Sequence, residues 1–251
     1  MSISTRTLTV LLYLTSLWGC VYAPPRPLEL DESNIKSVAV LSFVPEKANL
    51  QRIGLTVFNN EQTQIDLGGR ITRTIESVAI KRLNAARPEW SIKQISYDRD
   101  VLIARMNGPG LGRAYDGEGL YLDLADLCRT NGVDVLFVVR SLQYDRYRGD
   151  GVGVLMHTSS LSSPGHTTVH SHIALHVVGS RGQVVAVSRA RPEDPRRLDT
   201  KALGIKYELK DNLRSDVISR LSDEMIEQLT KSLNTMFDGL VVCKQGTCTH
   251  L

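Results

Sequence analysis

A chain of 251 residues, 42% hydrophobic and 23% charged, has the composition of an ordinary folded protein long enough to bury one sizeable core. Those proportions exclude a disordered, collagen-like or multi-span membrane chain. A net charge of +3 is too small to imply a nucleic-acid partner, and four cysteines are too few for a disulfide scaffold.

The amino terminus carries the strongest signal. Arg6 precedes an apolar run over residues 8–17, and Trp18-Gly19-Cys20 follows. A basic start, a short apolar stretch and a small residue at the cleavage point make a secretory signal, and the run is shorter than the ~20 residues of a permanent membrane helix. Leu17-Trp18-Gly19-Cys20 resembles the lipobox of bacterial lipoproteins, whose cysteine is acylated and becomes the first mature residue. Two other readings compete. Cleavage after Val21-Tyr22-Ala23 would leave Pro24 at the new terminus, which is unfavourable, and a core helix burying Cys20 fits poorly with the following Pro24-Pro25-Arg26-Pro27.

The lipobox resemblance implies a signal peptide over 1–19 and a lipidated Cys20. Val21 is not the aspartate that retains lipoproteins in the inner membrane, so the resemblance further implies an outer-membrane anchor facing the periplasm. Each buried methylene of an acyl chain contributes about 0.8 kcal/mol, and two or three chains hold a protein firmly. Residues 20–35 then form a proline-rich, extended tether, residues 36–240 a single domain, and 241–251 a tail.

Residues 37–43 and 52–59 read as strands close enough in sequence to pair as an antiparallel hairpin. Leu67, Ile71, Ile75, Val78 and Leu83 draw a helical stripe ending before Pro88, with Gly68-Gly69 weakening its first turn by roughly 1 kcal/mol each. A strand over 90–95 and a short helix from an Asp98 cap to Met106 follow. Next come an amphipathic helix over 120–130, Gly132 in a C-cap position, and a strand over 133–139. Strands over 167–178 and 183–189 flank a turn at 179–182. The last helix, 212–238, has Leu213, Val217, Leu221, Met225, Leu229, Leu233 and Met236 as its apolar stripe and ends at Gly239. This order predicts an α/β fold: a mixed β-sheet flanked by helices, with antiparallel hairpin additions and a long carboxy-terminal helix.

Together with the lipobox, Val38-Ala-Val-Leu-Ser-Phe43 and Gly132-Val-Asp-Val-Leu-Phe-Val138 resemble an envelope-protein superfamily. It includes the amino-terminal domain of TolB, the curli secretion lipoprotein and lipoprotein activators of penicillin-binding proteins. Gly54-Leu-Thr-Val-Phe-Asn-Asn60 resembles a stretch in uncharacterised proteobacterial proteins. The resemblance covers element order over roughly residues 36–240 and implies a binding or assembly role rather than catalysis. It carries no functional residue over.

Five of six histidines fall within twenty residues: His157, His166, His170, His172 and His176. On one strand over 167–178, His170, His172 and His176 share a face, and imidazoles two residues apart can converge on Zn²⁺ or Cu²⁺. The competing reading is a half-buried strand with histidines on its wet face. Such a cluster would also titrate between roughly pH 5 and 7. Cys243 and Cys248 flank a short glycine-containing loop and can form a disulfide in an oxidising compartment, with free thiols or a metal as the alternatives. Cys128 reads as a small core residue, and residues 108–112 and 149–153 match no phosphate-binding spacing. No GxSxG or HExxH pattern occurs. Tyr144, Arg146, Tyr147 and Arg148 combine the residue types that dominate interface hot spots, against the alternative of a solvated strand end. The sequence therefore leads to a non-catalytic, lipid-anchored envelope protein that binds another envelope protein or a glycan. A metal binder is the alternative.

Overall fold

Residues 37–43 carry apolar side chains on successive positions rather than every second one, as expected for a strand covered on both faces. They form such a strand in the computed structural model, which describes residues 30–31, 35–54, 60–106, 118–142, 150–157, 166–190, 196–198, 209, 213–244 and 247–250. The strands are β1 (Leu30–Asp31), β2 (Ser37–Phe43), β3 (Lys47–Ile53), β4 (Glu61–Asp66), β5 (Ser91–Ile92), β6 (Val135–Ser141) and β7 (Val152–His157). Then follow β8 (His166–Ser171), β9 (Ile173–Gly179), β10 (Val184–Arg189), β11 (Arg196–Leu198), β12 (Val241–Lys244) and β13 (Thr247–His250). The helices are α1 (Arg70–Ala86), α2 (Arg99–Met106), α3 (Glu118–Asn131) and α4 (Ser215–Asp238).

The expected α/β class is present as two mixed sheets. Sheet I has the order β10-β9-β6-β2-β5, with β2 parallel to β5 and β6, and β6, β9 and β10 successively antiparallel. Sheet II has the order β11-β8-β7-β3-β4, with β3 parallel to β7 and the other pairs antiparallel. Of its several crossings between the sheets, two are short: residues 44–46, between β2 and β3, and His172, between β8 and β9. The strand expected over 52–59 is met only in part, since residues 55–59 lie outside the described residues; the strand after β2 is β3, which pairs with β4 and β7 in the other sheet rather than as a hairpin with β2.

Both faces of the central strands of sheet I, β2, β6 and β9, are buried. On one side Val38, Phe137, Val139, Leu175 and Val177 join a core with Ile71, Ile75, Ala79 and Leu83 of α1 and the stripe of α4. Val217, Leu221, Met225, Leu229, Leu233 and Met236 are all buried, whereas Leu213 precedes the helix and is exposed. Phe137 stacks on Phe237 and meets Trp90 at a tilt of 42°, with ring centroids 6.3 Å away in both cases. The second side, lined by Ala39, Leu41, Phe43, Leu136 and Val138, packs against Leu102 of α2 and Leu124 and Cys128 of α3.

Local signals explain the helix boundaries. Gly68 and Gly69 have φ of 58° and 77° and turn the chain into α1 rather than weakening it from within. The Asp98 carboxylate accepts from the Val101 N–H (3.0 Å), a side-chain cap for α2. A third, small sheet of order β1-β12-β13 joins the segment before the domain to the carboxy-terminal tail. Among the described residues, no helix is long and apolar enough to cross a membrane.

Candidate functional site

The sheet change at His172 organises the polar interior. The Gly151 N–H donates to the Leu142 carbonyl (3.1 Å), the Leu142 N–H to the His172 carbonyl (2.8 Å), and the His172 N–H to the Gly151 carbonyl (2.7 Å). These three bonds close a ring in which each residue donates once and accepts once. Gly151 needs its freedom twice over: φ is 59°, and a Cβ would lie 2.8 Å from the Ser141 hydroxyl.

His170 and His172 sit against this ring, 2% and 5% exposed. Their imidazoles stack with centroids 4.7 Å apart and planes 18° from parallel. The Gly151 carbonyl lies 3.1 Å from His170 Nδ1, so that nitrogen carries the proton and donates. Burial pushes the His170 pKa down to about 3, with the His172 ring adding to the effect and the Gly151 carbonyl opposing it. The close fit continues at Gly153 on β7. A Cβ there would lie 2.4 Å from the Asn49 carbonyl oxygen and 3.0 Å from the His170 ring.

The three-histidine set expected on one strand is not assembled. Residues 167–178 are two strands in different sheets, and His176 lies on β9, opposite Val138 and Val187 in sheet I. Burial, then Arg140 and Arg189, push its pKa down to about 4, an environment that disfavours a bound cation. Among the described residues, no three histidine, cysteine or carboxylate side chains group as a metal site requires. His157 and His166 are direct register partners at the ends of β7 and β8, stacked at 4.5 Å. Burial, the His166 ring and Arg197 hold His157 below the usual histidine range.

The other expected site residues are distributed as follows. Cys20 and the segment 143–149, with Tyr144, Arg146, Tyr147 and Arg148, lie outside the described residues. The residues on either side of it are described, and of these Leu142 and Gly151 belong to the ring at His172. Cys243 and Cys248 are Cα partners in the β12–β13 ladder. Cys128 is 1% exposed, and burial, with Asp134 nearby, pushes its thiol up to about 11, the opposite of an activated nucleophile.

A polar network that sequence reasoning missed follows the carboxyl end of β2. The Glu46 carboxylate accepts from the Ile71 N–H (3.1 Å) and the Thr72 N–H (2.9 Å), capping α1. Arg99 lies 3.7 Å from Glu46, and its Nε donates to the Ser42 carbonyl (2.9 Å). The Tyr97 hydroxyl accepts from the Ser42 N–H (3.0 Å), and burial raises its pKa. No short-range pattern announces this network, since its members are as far as 57 residues apart. An open groove of about 330 Å³ between α2 and α3 includes Tyr97, Leu102 and Leu127 in its wall and is bordered by the Arg105–Asp123 ion pair.

Neither a protein-family model nor a curated protein matches the chain. Among solved structures, it has a faint likeness to lipoprotein GNA1162 from Neisseria meningitidis. The two are 14% identical with a TM-score of 0.24, over 78% of this chain and 98% of that one.

Proposed function

We propose that this chain is a non-catalytic, lipid-anchored cell-envelope protein whose α/β domain docks another envelope protein through residues 143–149. The observation that carries the reading is the hydrogen-bonded ring of Leu142, Gly151 and His172. It ties together the residues on either side of a short stretch rich in tyrosine and arginine, so a recognition element there starts and ends on a rigid base. A fixed base lowers the ordering cost of binding. The leader, the lipobox-like tetrapeptide ending at Cys20 and the proline-rich tether support an outer-membrane, periplasm-facing position.

Photocrosslinking from position 143 in the native envelope tests the docking role. Tyr147→Ala with Arg148→Ala should abolish the crosslinked protein band while leaving the melting temperature unchanged. Undiminished crosslinking overturns it, and retention on envelope glycan without any protein crosslink would assign the surface to a glycan instead. Cys20→Ala should release the domain from membranes; unaltered attachment would refute the anchor.

A further inference from the structure

The carboxy-terminal tail is a β-hairpin, and its register pairs the backbone positions of its two cysteines. The ladder pairs Val241 with His250, Val242 with Thr249, Cys243 with Cys248 and Lys244 with Thr247. Directly opposed residues of an antiparallel pair have Cα atoms about 4.5–5.5 Å apart, within the ~4.4–6.8 Å that a disulfide spans. Cys128 is no competitor, being buried in the core between α3 and sheet I.

The same strand holds the segment before the domain. Residues Leu30 and Asp31 run parallel to β12, with Leu30 beside Val242 and Asp31 beside Cys243. Cys243 therefore sits in the middle strand of a three-stranded sheet, between Asp31 on one side and Cys248 on the other. A two-residue strand has too few ladder bonds to persist by itself, and a lone hairpin is marginal in water, so each depends on the other.

We infer that Cys243 and Cys248 form a disulfide that locks this hairpin as a clasp on the tether. In the closing step the two thiols surrender two protons and two electrons. One sulfur–sulfur bond forms, and a disulfide-bearing oxidant of the thiol-exchange class is reduced to its dithiol; a dithiol reductant reverses the step. Resting on the lipidated Cys20 proposed above, the clasp also sets the reach of the domain. Holding Leu30 leaves ten residues from Cys20 to position 29, a contour of at most ~36 Å, and releasing it adds the five positions 30–34, at most ~18 Å more.

Two measurements on the full chain test this. Peptide mapping without reductant should find residues 243 and 248 in one linked species, two hydrogens lighter than the free thiols. Two free thiols after exposure to oxidised glutathione would overturn the disulfide. Hydrogen exchange at Leu30, Asp31, Val242 and Cys243 should be slower by on the order of tenfold in the oxidised protein than in reduced protein or a Cys243→Ser/Cys248→Ser variant. Equal exchange, with the domain's melting temperature unchanged, would overturn the clasp. Neither measurement depends on the lipid, so loss of the anchor and loss of the clasp are read separately.

Discussion

Acidification should weaken the fold through His170, and by a calculable amount. The side chain is 2% exposed, donates from Nδ1 to the Gly151 carbonyl, and has its pKa pushed down to about 3. In the unfolded chain it titrates at the ordinary value of about 6.5. Below that value the unfolded state binds a proton that the folded state refuses, so stability falls as pH falls, down to the folded value. Between about pH 7.5 and pH 5 the difference is ~1.5 units at about 1.36 kcal/mol each, or about 2 kcal/mol from this residue. His176, half-buried and also held low, acts in the same direction by a smaller amount because water screens it. Urea unfolding at both pH values, for the parent and for His170→Gln, isolates the contribution. The glutamine amide can still donate to Gly151 but does not titrate. The parent should lose about 2 kcal/mol more than the variant over this interval, since other titrations are common to both. Equal losses would refute the assignment of a neutral, buried His170.

Three further outcomes follow from the packing. Gly153→Ala puts a Cβ 2.4 Å from the Asn49 carbonyl oxygen and should cost about 1–3 kcal/mol, read as a lower melting temperature; an unchanged transition would show that β3 and β7 can separate. Glu46→Ala leaves the Ile71 and Thr72 amides without their carboxylate and should cost about 1–2 kcal/mol in urea unfolding. Cys128, 1% exposed with its thiol pushed up to about 11, should resist iodoacetamide in the folded chain near neutral pH and react once urea unfolds it. Rapid alkylation of the native protein would contradict its burial.

The elements legible in the sequence are those whose burial follows one regular period. β2, β6 and α4 have uninterrupted apolar runs or stripes, and their positions follow from those patterns. β4, with the sequence Glu-Gln-Thr-Gln-Ile-Asp, carries a single buried residue, Ile65, so its alternation is invisible to a hydrophobic pattern. β7 hides behind glycines that read as a loop, although Gly153 is there because two backbones and a histidine ring meet at that point. The histidine cluster illustrates the deeper obstacle. Val169, Ser171, Ile173, Leu175 and Val177 keep one alternation across His172, so nothing local records that the chain changes sheets there. The candidates were visible, but which of them meet depends on a tertiary event. The tail is similar: its cysteines were evident, while their register and their link to Leu30 and Asp31 require the folded ladder.

Glu46 has a consequence for ligand chemistry. In open α/β sheets, a nucleotide's phosphates settle in the crevice beyond the carboxyl ends of parallel strands, on the positive pole of a helix. Here that pole is already filled from within the chain: the Ile71 and Thr72 amides are spoken for by a side chain that is itself an anion. An arriving phosphate would meet like charge and no vacant donor at either amide, so this helix terminus, unlike those of nucleotide-binding sheets, offers an anion no welcome at these two groups.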